Sequence, residues 1–200
     1  MHSRTNELTA FLQKKKSVAA YSDIMEAGFS KTALNTLLRS GKIQRIDRGL
    51  YRLSGSTVPS NPDFIIVSRK IPRGVICLIS ALAYHEATDE VPRQINIAIP
   101  RGTHANRIEY PPVQFFRFSK DVWKAGIEEH KIDGSFVQVY SLAKTVADCF
   151  KFRNKIGMNV ARGALKTAFT EKHIPAKEIM HYAKICRVNN IVKPILETLL

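Results

Sequence analysis

The sequence predicts an α+β protein, with an N-terminal winged helix-turn-helix followed by a mixed α/β domain that has a mainly antiparallel sheet and a helical C-terminal end. Three observations lead there. Between Ser30 and Leu53 a short amphipathic helix runs through Gly41 into two brief alternating segments around Asp47-Arg48-Gly49, which is helix, turn and hairpin in immediate succession. From Ile95 to Tyr140 the apolar pattern takes on the two-residue period of strands, and beyond Ser141 it returns to the helical period.

In order, Leu8, Phe11 and Leu12 recur at helical spacing between Arg4 and Lys16, with Thr5 or Asn6 as cap and three lysines in the last turn, where they suit the helix dipole. Ser22 is the expected cap of a second helix that ends at Ala27, before a left-handed Gly28. Ser30 caps the third, in which Ala33, Leu34, Leu37 and Leu38 make one apolar stripe, and Lys31, Thr32, Asn35, Thr36 and Arg39 fall opposite it. Ile43, Ile46, Leu50 and Leu53 then flank the Asp47-Arg48-Gly49 turn, where glycine supplies positive φ, and a hairpin directly after a recognition helix is a wing.

The chemistry of this stretch fits DNA. Lys31, Arg39, Lys42, Arg45, Arg48 and Arg52 stand against Asp47 alone, a local charge of 6 − 1 = +5. Asn35 suits bidentate contact with adenine and Arg39 with guanine, one turn apart on one helix face. Lys31 and Thr32 lie where the free backbone N–H groups of a helix start favour phosphate, while Lys42, Arg45, Arg48 and Arg52 serve the backbone or an adjacent minor groove. The bland alternative is a solvated basic face on a structural three-helix unit.

Small and turn-forming residues in Gly55-Ser56-Thr57-Val58-Pro59-Ser60-Asn61 mark a linker, which divides the chain into residues 1–57 and 58–200. The first part holds 10 basic and 4 acidic residues, or +6, and the second 21 and 13, or +8. Beyond the linker, Pro62 opens a segment to Ile71 that reads as helix, with a strand as the alternative, and Val75 to Glu86 reads as helix throughout. Strands follow at Ile95–Ile99 and Val113–Phe118, with a polar loop over Arg101–Arg107. Ile127–Ile132 and Ser135–Tyr140 form a hairpin about Asp133-Gly134. Ser141 caps a helix with Leu142, Val146 and Cys149 or Phe150 along one side, and further helices span Val160–Phe169, Ala176–Cys186 and Ile191–Leu200, the last a short one starting around Pro194.

Two hundred residues, 44% of them apolar, describe a folded globular chain, and the net charge of +14 asks for an acidic partner. The longest apolar run, Val75 to Tyr84, is about half of the roughly 20 residues of a spanning helix, and the polar start carries no signal-peptide core, so the expected location is the cytoplasm with no membrane partner. Cys77, Cys149 and Cys186 have neither zinc nor redox spacing and read as buried free thiols. The histidines show no ligand spacing, and P-loop, G-x-G-x-x-G and G-x-S-x-G motifs are missing, so neither metal nor cofactor is expected and the protein reads as a non-enzyme. Glu128, Glu129 and Asp133 read as a solvated strand face rather than a nuclease centre. Lys144 and Asp148, one helical turn apart, make an ion pair of about 0.3 to 0.5 kcal/mol if exposed.

Together, the helix-wing unit, V75-I-C-L-I-S-A-L-A-Y-H-E-A-T88, the strand I95-N-I-A-I99 and V139-Y-S-L-A-K-T-V-A-D-C-F-K-F-R153 resemble the AbiEi family of antitoxins from bacterial type IV toxin-antitoxin systems. The resemblance implies a transcriptional autorepressor that binds inverted repeats in double-stranded DNA of its own promoter, and a C-terminal domain that counters a nucleotidyltransferase-like toxin. His85, Lys144 and Asp148 are singled out among the polar residues of the motifs, with no role assigned. Leu142 stands where the family often has proline, which a helix start tolerates equally. Two other readings stay open: a nuclease or other nucleic-acid enzyme delivered by the winged helix, and a stand-alone regulator whose second domain senses a ligand.

Overall fold

The structure, a computed structural model, describes residues 2–15, 19–47, 49–55, 61–104, 108, 110–132 and 135–199. Arg48, most of the 54–61 linker, residues 105–107 of the polar loop, and the Asp133-Gly134 turn lie outside the described residues. The chain forms two compact units, one of Met1–Pro72 with Glu109–Pro111 and Lys131–Val137, the other of Arg73–Ile108, Pro112–His130 and Gln138–Leu200.

In the first unit, α1 (His2–Lys15) is followed by β1 (Ala19–Ala20), α2 (Tyr21–Glu26), α3 (Lys31–Arg39), β2 (Ile43–Asp47), β3 (Leu50–Leu53) and α4 (Pro62–Lys70). Leu8, Leu12, Ile24, Leu34, Leu37 and Ile43 pack into one core, so the apolar stripe of α3 faces inward as its period requires. Gly28, at φ 83°, ends α2, and its own N–H and that of Phe29 bond back to the Met25 and Ile24 carbonyls, a glycine stop of the Schellman type. Two details differ from the sequence reading. Ser22 lies inside α2, which starts at Tyr21 after an extended Ala20 without a side-chain cap. That start is set instead by β1, whose Ala19 and Ala20 pair antiparallel with Tyr51 and Leu50, giving a three-stranded sheet in the order β1-β3-β2. Two alanines carry no strand signal of their own, and tertiary pairing decides their conformation. Pro62 occupies the first turn of α4, where its missing N–H costs nothing, and α2 is tied to α4 by Asp23 and Arg69 at 2.5 Å.

The second unit holds β4 (Val75–Ile76), α5 (Leu78–Tyr84), β5 (Ile95–Pro100), β6 (Val113–Phe118), α6 (Lys120–Lys124), α7 (Leu142–Lys151) and the larger part of the segment that forms β7 (Ile127–Ile132) and β8 (Ser135–Tyr140), of which Lys131–Val137 is counted with the first unit. It ends with α8 (Arg153–Ile156), α9 (Met158–Lys166), a π-helical turn at Thr167–Glu171, α10 (Ala176–Ile185) and α11 (Asn189–Glu197). The sheet order is β6-β5-β4-β8-β7. β5 pairs parallel with β6, β4 parallel with β8, and β4 antiparallel with β5, so this sheet is mixed rather than mainly antiparallel. Parallel neighbours need a long connection, and both pairs have one: residues 101–112 and 77–134. All six residues of β5 are buried, so the strand is covered on both faces, which the alternation of its isoleucines does not disclose.

Three further expectations are corrected. Val75 and Ile76 are strand rather than helix, β-branched residues claimed by pairing with β5 and β8, and the helix starts only at Leu78. The terminal helix expected over Ile191–Leu200 is present, but it begins at Asn189 and carries Pro194 inside it rather than starting around that proline. Leu142 to Phe150 of α7 are buried on every side, not along one stripe, so this helix is the centre of the unit's core, with α5, α9, α10 and α11 packed around it. Cys77, Cys149 and Cys186 are free and buried, as read, and burial pushes all three thiols up. No helix among the described residues is long and apolar enough to cross a membrane.

Candidate nucleic-acid interface

The outer face of α3 is built by its cap and its stripe. Ser30 Oγ accepts from the Ala33 N–H at 3.2 Å, which fixes where the helix starts, and burial of Ala33, Leu34 and Leu37 fixes its rotation. Lys31, Thr32, Asn35, Thr36 and Arg39 are then all exposed. Thr36 Oγ1 donates to the Thr32 carbonyl at 2.9 Å, which leaves its oxygen as an acceptor on that face. Asn35 and Arg39 lie one turn apart on that exposed face.

The hairpin adds a second set. Its strands pair Ile43 with Leu53, Gln44 with Arg52 and Arg45 with Tyr51, and a bulge between Arg45 and Asp47 precedes Gly49 at φ 74°. Lys42 and Arg45 are exposed, whereas Arg52 is half-buried and donates from Nη2 to Gln44 Oε1 at 3.2 Å. Arg52 therefore differs from the other cations, because part of its donor set is committed within the sheet. Gln44, exposed beside it, is a residue that sequence reasoning passed over, and only the strand register would have found it.

The motif residues of the second unit are placed very differently. Lys144 and Asp148 have no exposed side-chain surface, and Nζ lies 2.5 Å from Oδ2. The ammonium also stands 4.1 Å from the Tyr140 ring centre and 4.9 Å from that of Phe118, inside an aromatic cage. Asp148 Oδ1 accepts from Cys186 Sγ at 3.2 Å. Burial pushes the Asp148 carboxyl up, against the opposing pull of the Lys144 ammonium. The expected i,i+4 pair is present, but it is internal, so the small value of an exposed pair does not apply to it. The rest of the motif works in the same way. Ser141 Oγ caps α7 by accepting from the Lys144 N–H at 3.3 Å, and the Tyr140 hydroxyl donates to the Trp123 carbonyl at 2.7 Å.

His85 and Ser80, from the earlier motif, also hold backbone. His85 Nε2 stands 2.8 Å from the Tyr140 carbonyl and donates to it, and the Asn96 N–H donates to Ser80 Oγ at 2.9 Å. Burial lowers the His85 pKa against the raising effects of that carbonyl and Glu128. Glu128 and Glu129 are exposed, while Asp133 lies outside the described residues. No group of three or more histidine, cysteine or acidic residues among the described residues is arranged to hold a metal ion. As placed here, Lys144, Asp148 and His85 have the geometry of groups that fasten strands and helices together.

Among solved structures, the crystal structure of the RV2827C protein from Mycobacterium tuberculosis is similar over 95% of this chain and 79% of that one, with a TM-score of 0.54 and 12% identity, a likeness that shows the fold alone. No curated protein matches the chain by sequence. The segment that carries the exposed basic face is the one that finds a family: residues 6–54, from α1 through β3, match the family model of AbiEi antitoxin transcriptional regulators.

Proposed function

We propose that the protein is a DNA-binding transcriptional autorepressor and the antitoxin of a type IV toxin-antitoxin system. In this reading residues 1–57 form a winged helix-turn-helix, with α3 as recognition helix and β2–β3 as wing. Asn35 and Arg39 read base edges, Lys31, Thr32 and Thr36 anchor the helix on phosphates, and Lys42, Arg45, Arg48 and Arg52 lie along the flanking backbone or minor groove. Inverted repeats in the chain's own promoter are the target, and residues 58–200 counter a nucleotidyltransferase-like toxin in the cytoplasm, without catalysis by this chain. The observation that carries the reading is the exposure of all five polar residues of α3 opposite its buried stripe, within the segment that matches AbiEi regulators.

The test is a mobility-shift titration on DNA upstream of the chain's own reading frame. The expected result is sequence-selective binding that weakens with salt, the slope of log affinity on log salt changing by about 0.9 for each phosphate contact removed. Arg39→Ala with Arg48→Ala is expected to reduce affinity by well over tenfold. A flat salt response, or a loss of no more than a few-fold, overturns the assignment. Co-expression with the product of a neighbouring nucleotidyltransferase-like reading frame tests the antitoxin half, and growth arrest that this chain leaves unrelieved refutes it.

A further inference from the structure

In the second unit a groove of about 710 Å³ is lined by Asn96 of β5, Gln114 of β6, and Glu90, Val91, Arg93 and Lys155, among others. Its volume lies within the range of small-molecule sites. Asn96 is the anomaly in it. It is only 5% exposed in a strand that is otherwise apolar, and its Oδ1 has no hydrogen-bond partner among the described residues. The backbone around it is already satisfied, since its N–H donates to Ser80 Oγ and its carbonyl accepts from the Cys77 N–H at 3.0 Å. A valine would fill this position without the cost of an orphaned buried acceptor, so the amide calls for another explanation.

The parallel register sets Asn96 beside Gln114, and Asn96 Nδ2 donates to Gln114 Oε1 at 3.4 Å. That bond leaves Asn96 Oδ1 as an acceptor and Gln114 Nε2 as a donor in the lining of one groove. Turning both amides over reverses the order but still leaves one of each. A nucleobase edge presents both donors and acceptors, and base recognition by side-chain amides supplies one of each. Val91, 86% exposed, supplies apolar surface for a base face, and Arg93 and Lys155 outnumber Glu90 in the same groove.

We infer that this groove binds an unpaired nucleobase together with its phosphate, the Asn96–Gln114 amides reading the base edge and Arg93 and Lys155 holding the phosphate. The residues of this site all belong to the second unit, and the inference does not rest on the promoter-binding reading.

Titration calorimetry of the full chain with AMP, CMP, GMP and UMP, with ribose 5-phosphate as control and a single-stranded hexanucleotide as a further arm, tests it. At least one nucleotide is expected to bind tenfold or more tighter than ribose 5-phosphate. Gln114→Leu, at an exposed position that does not disturb folding, and Asn96→Leu are each expected to weaken that nucleotide about tenfold or more. Lys155→Ala is expected to weaken the nucleotide but not its nucleoside. A hexanucleotide bound much tighter than any monophosphate identifies a strand as the source, and equal affinities identify a free nucleotide. Absence of nucleotide binding at millimolar concentration, binding no tighter than ribose 5-phosphate, or binding unchanged by Gln114→Leu overturns the inference.

Discussion

Asn35 with Arg39 on α3, and Lys144 with Asp148 on α7, are both polar pairs spaced by one helical turn, both on helices capped by a serine, and they meet opposite environments. The first pair is exposed, while the second is sealed beneath a layer of aromatic and aliphatic side chains. The difference lies in the rest of each helix. On α3 the apolar residues occupy one stripe and leave the polar ones free to meet a partner. On α7 Ala143, Val146, Ala147 and Cys149 are buried as well, so the pair meets only internal partners: each other, the Tyr140 and Phe118 rings and Cys186 Sγ. Identical spacing leaves a pair open to a partner on an exposed face and sealed inside a core.

The largest effect that would break this contrast is expected at Lys144. Lys144→Met leaves the Asp148 carboxylate buried without its cation and is expected to cost about 3–5 kcal/mol of stability in urea unfolding. Lys144→Met with Asp148→Leu is expected to recover most of it, because an apolar pair carries no desolvation penalty. Recovery would identify the pair as structural, and failure to recover would assign it some further role.

Gly126 sharpens the same point. It sits at φ 71°, and a Cβ there would lie 2.6 Å from Lys144 Cβ. Gly126→Ala is expected to destabilise by about 2–3 kcal/mol through strain and displacement of the Lys144 stem. In the first unit the fold is more tolerant, and Ser30→Ala is expected to cost about 1 kcal/mol through loss of the α3 cap.

The smallest effect is on pH dependence. Because burial holds the His85 pKa below its ordinary 6.5, the unfolded chain takes up the proton first as pH falls. The corresponding stability is present above about pH 6.5 and is lost as pH drops through that value towards the lower folded one. The unfolding midpoint of the wild type is therefore expected to fall between pH 7.5 and 5.5, and His85→Gln to fall less. Equal slopes would show that the histidine is not held in its neutral form.

Much of the first unit was legible in the sequence because each signal was local. Ser30 bonds where an N-cap should, Gly28 takes positive φ after α2, and Gly49 does so within the hairpin. β1 was not legible, since Ala19-Ala20 become a strand only because Leu50 and Tyr51 lie alongside. In the second unit the strands of residues 95–140 and the terminal helices were readable as elements, but their arrangement depends on pairings across long stretches of chain, as with Ile76 and Val139. Lys144 and Asp148 are fully buried and His85 bonds to backbone, which the sequence did not disclose, because a single sequence shows which residues are polar and not which are covered. The family match, too, falls on residues 6–54 and not on the motif stretches 75–88 and 139–153 that suggested the resemblance. Asn96 gave no signal, as one asparagine in an isoleucine-rich strand reads as the polar half of an alternation.

The affinity of the full chain for its own upstream DNA, measured for two double variants in the same salt, tests the division most directly. Asn35→Ala with Arg39→Ala is expected to lose tenfold or more in affinity with the unfolding midpoint unchanged, since each bidentate base contact contributes about 1–3 kcal/mol of discrimination. Lys144→Met with Asp148→Leu is expected to bind as the wild type does. Retained affinity in the first variant, or a comparable loss in the second, would contradict the assignment of DNA reading to the exposed pair and of fold stability to the buried one.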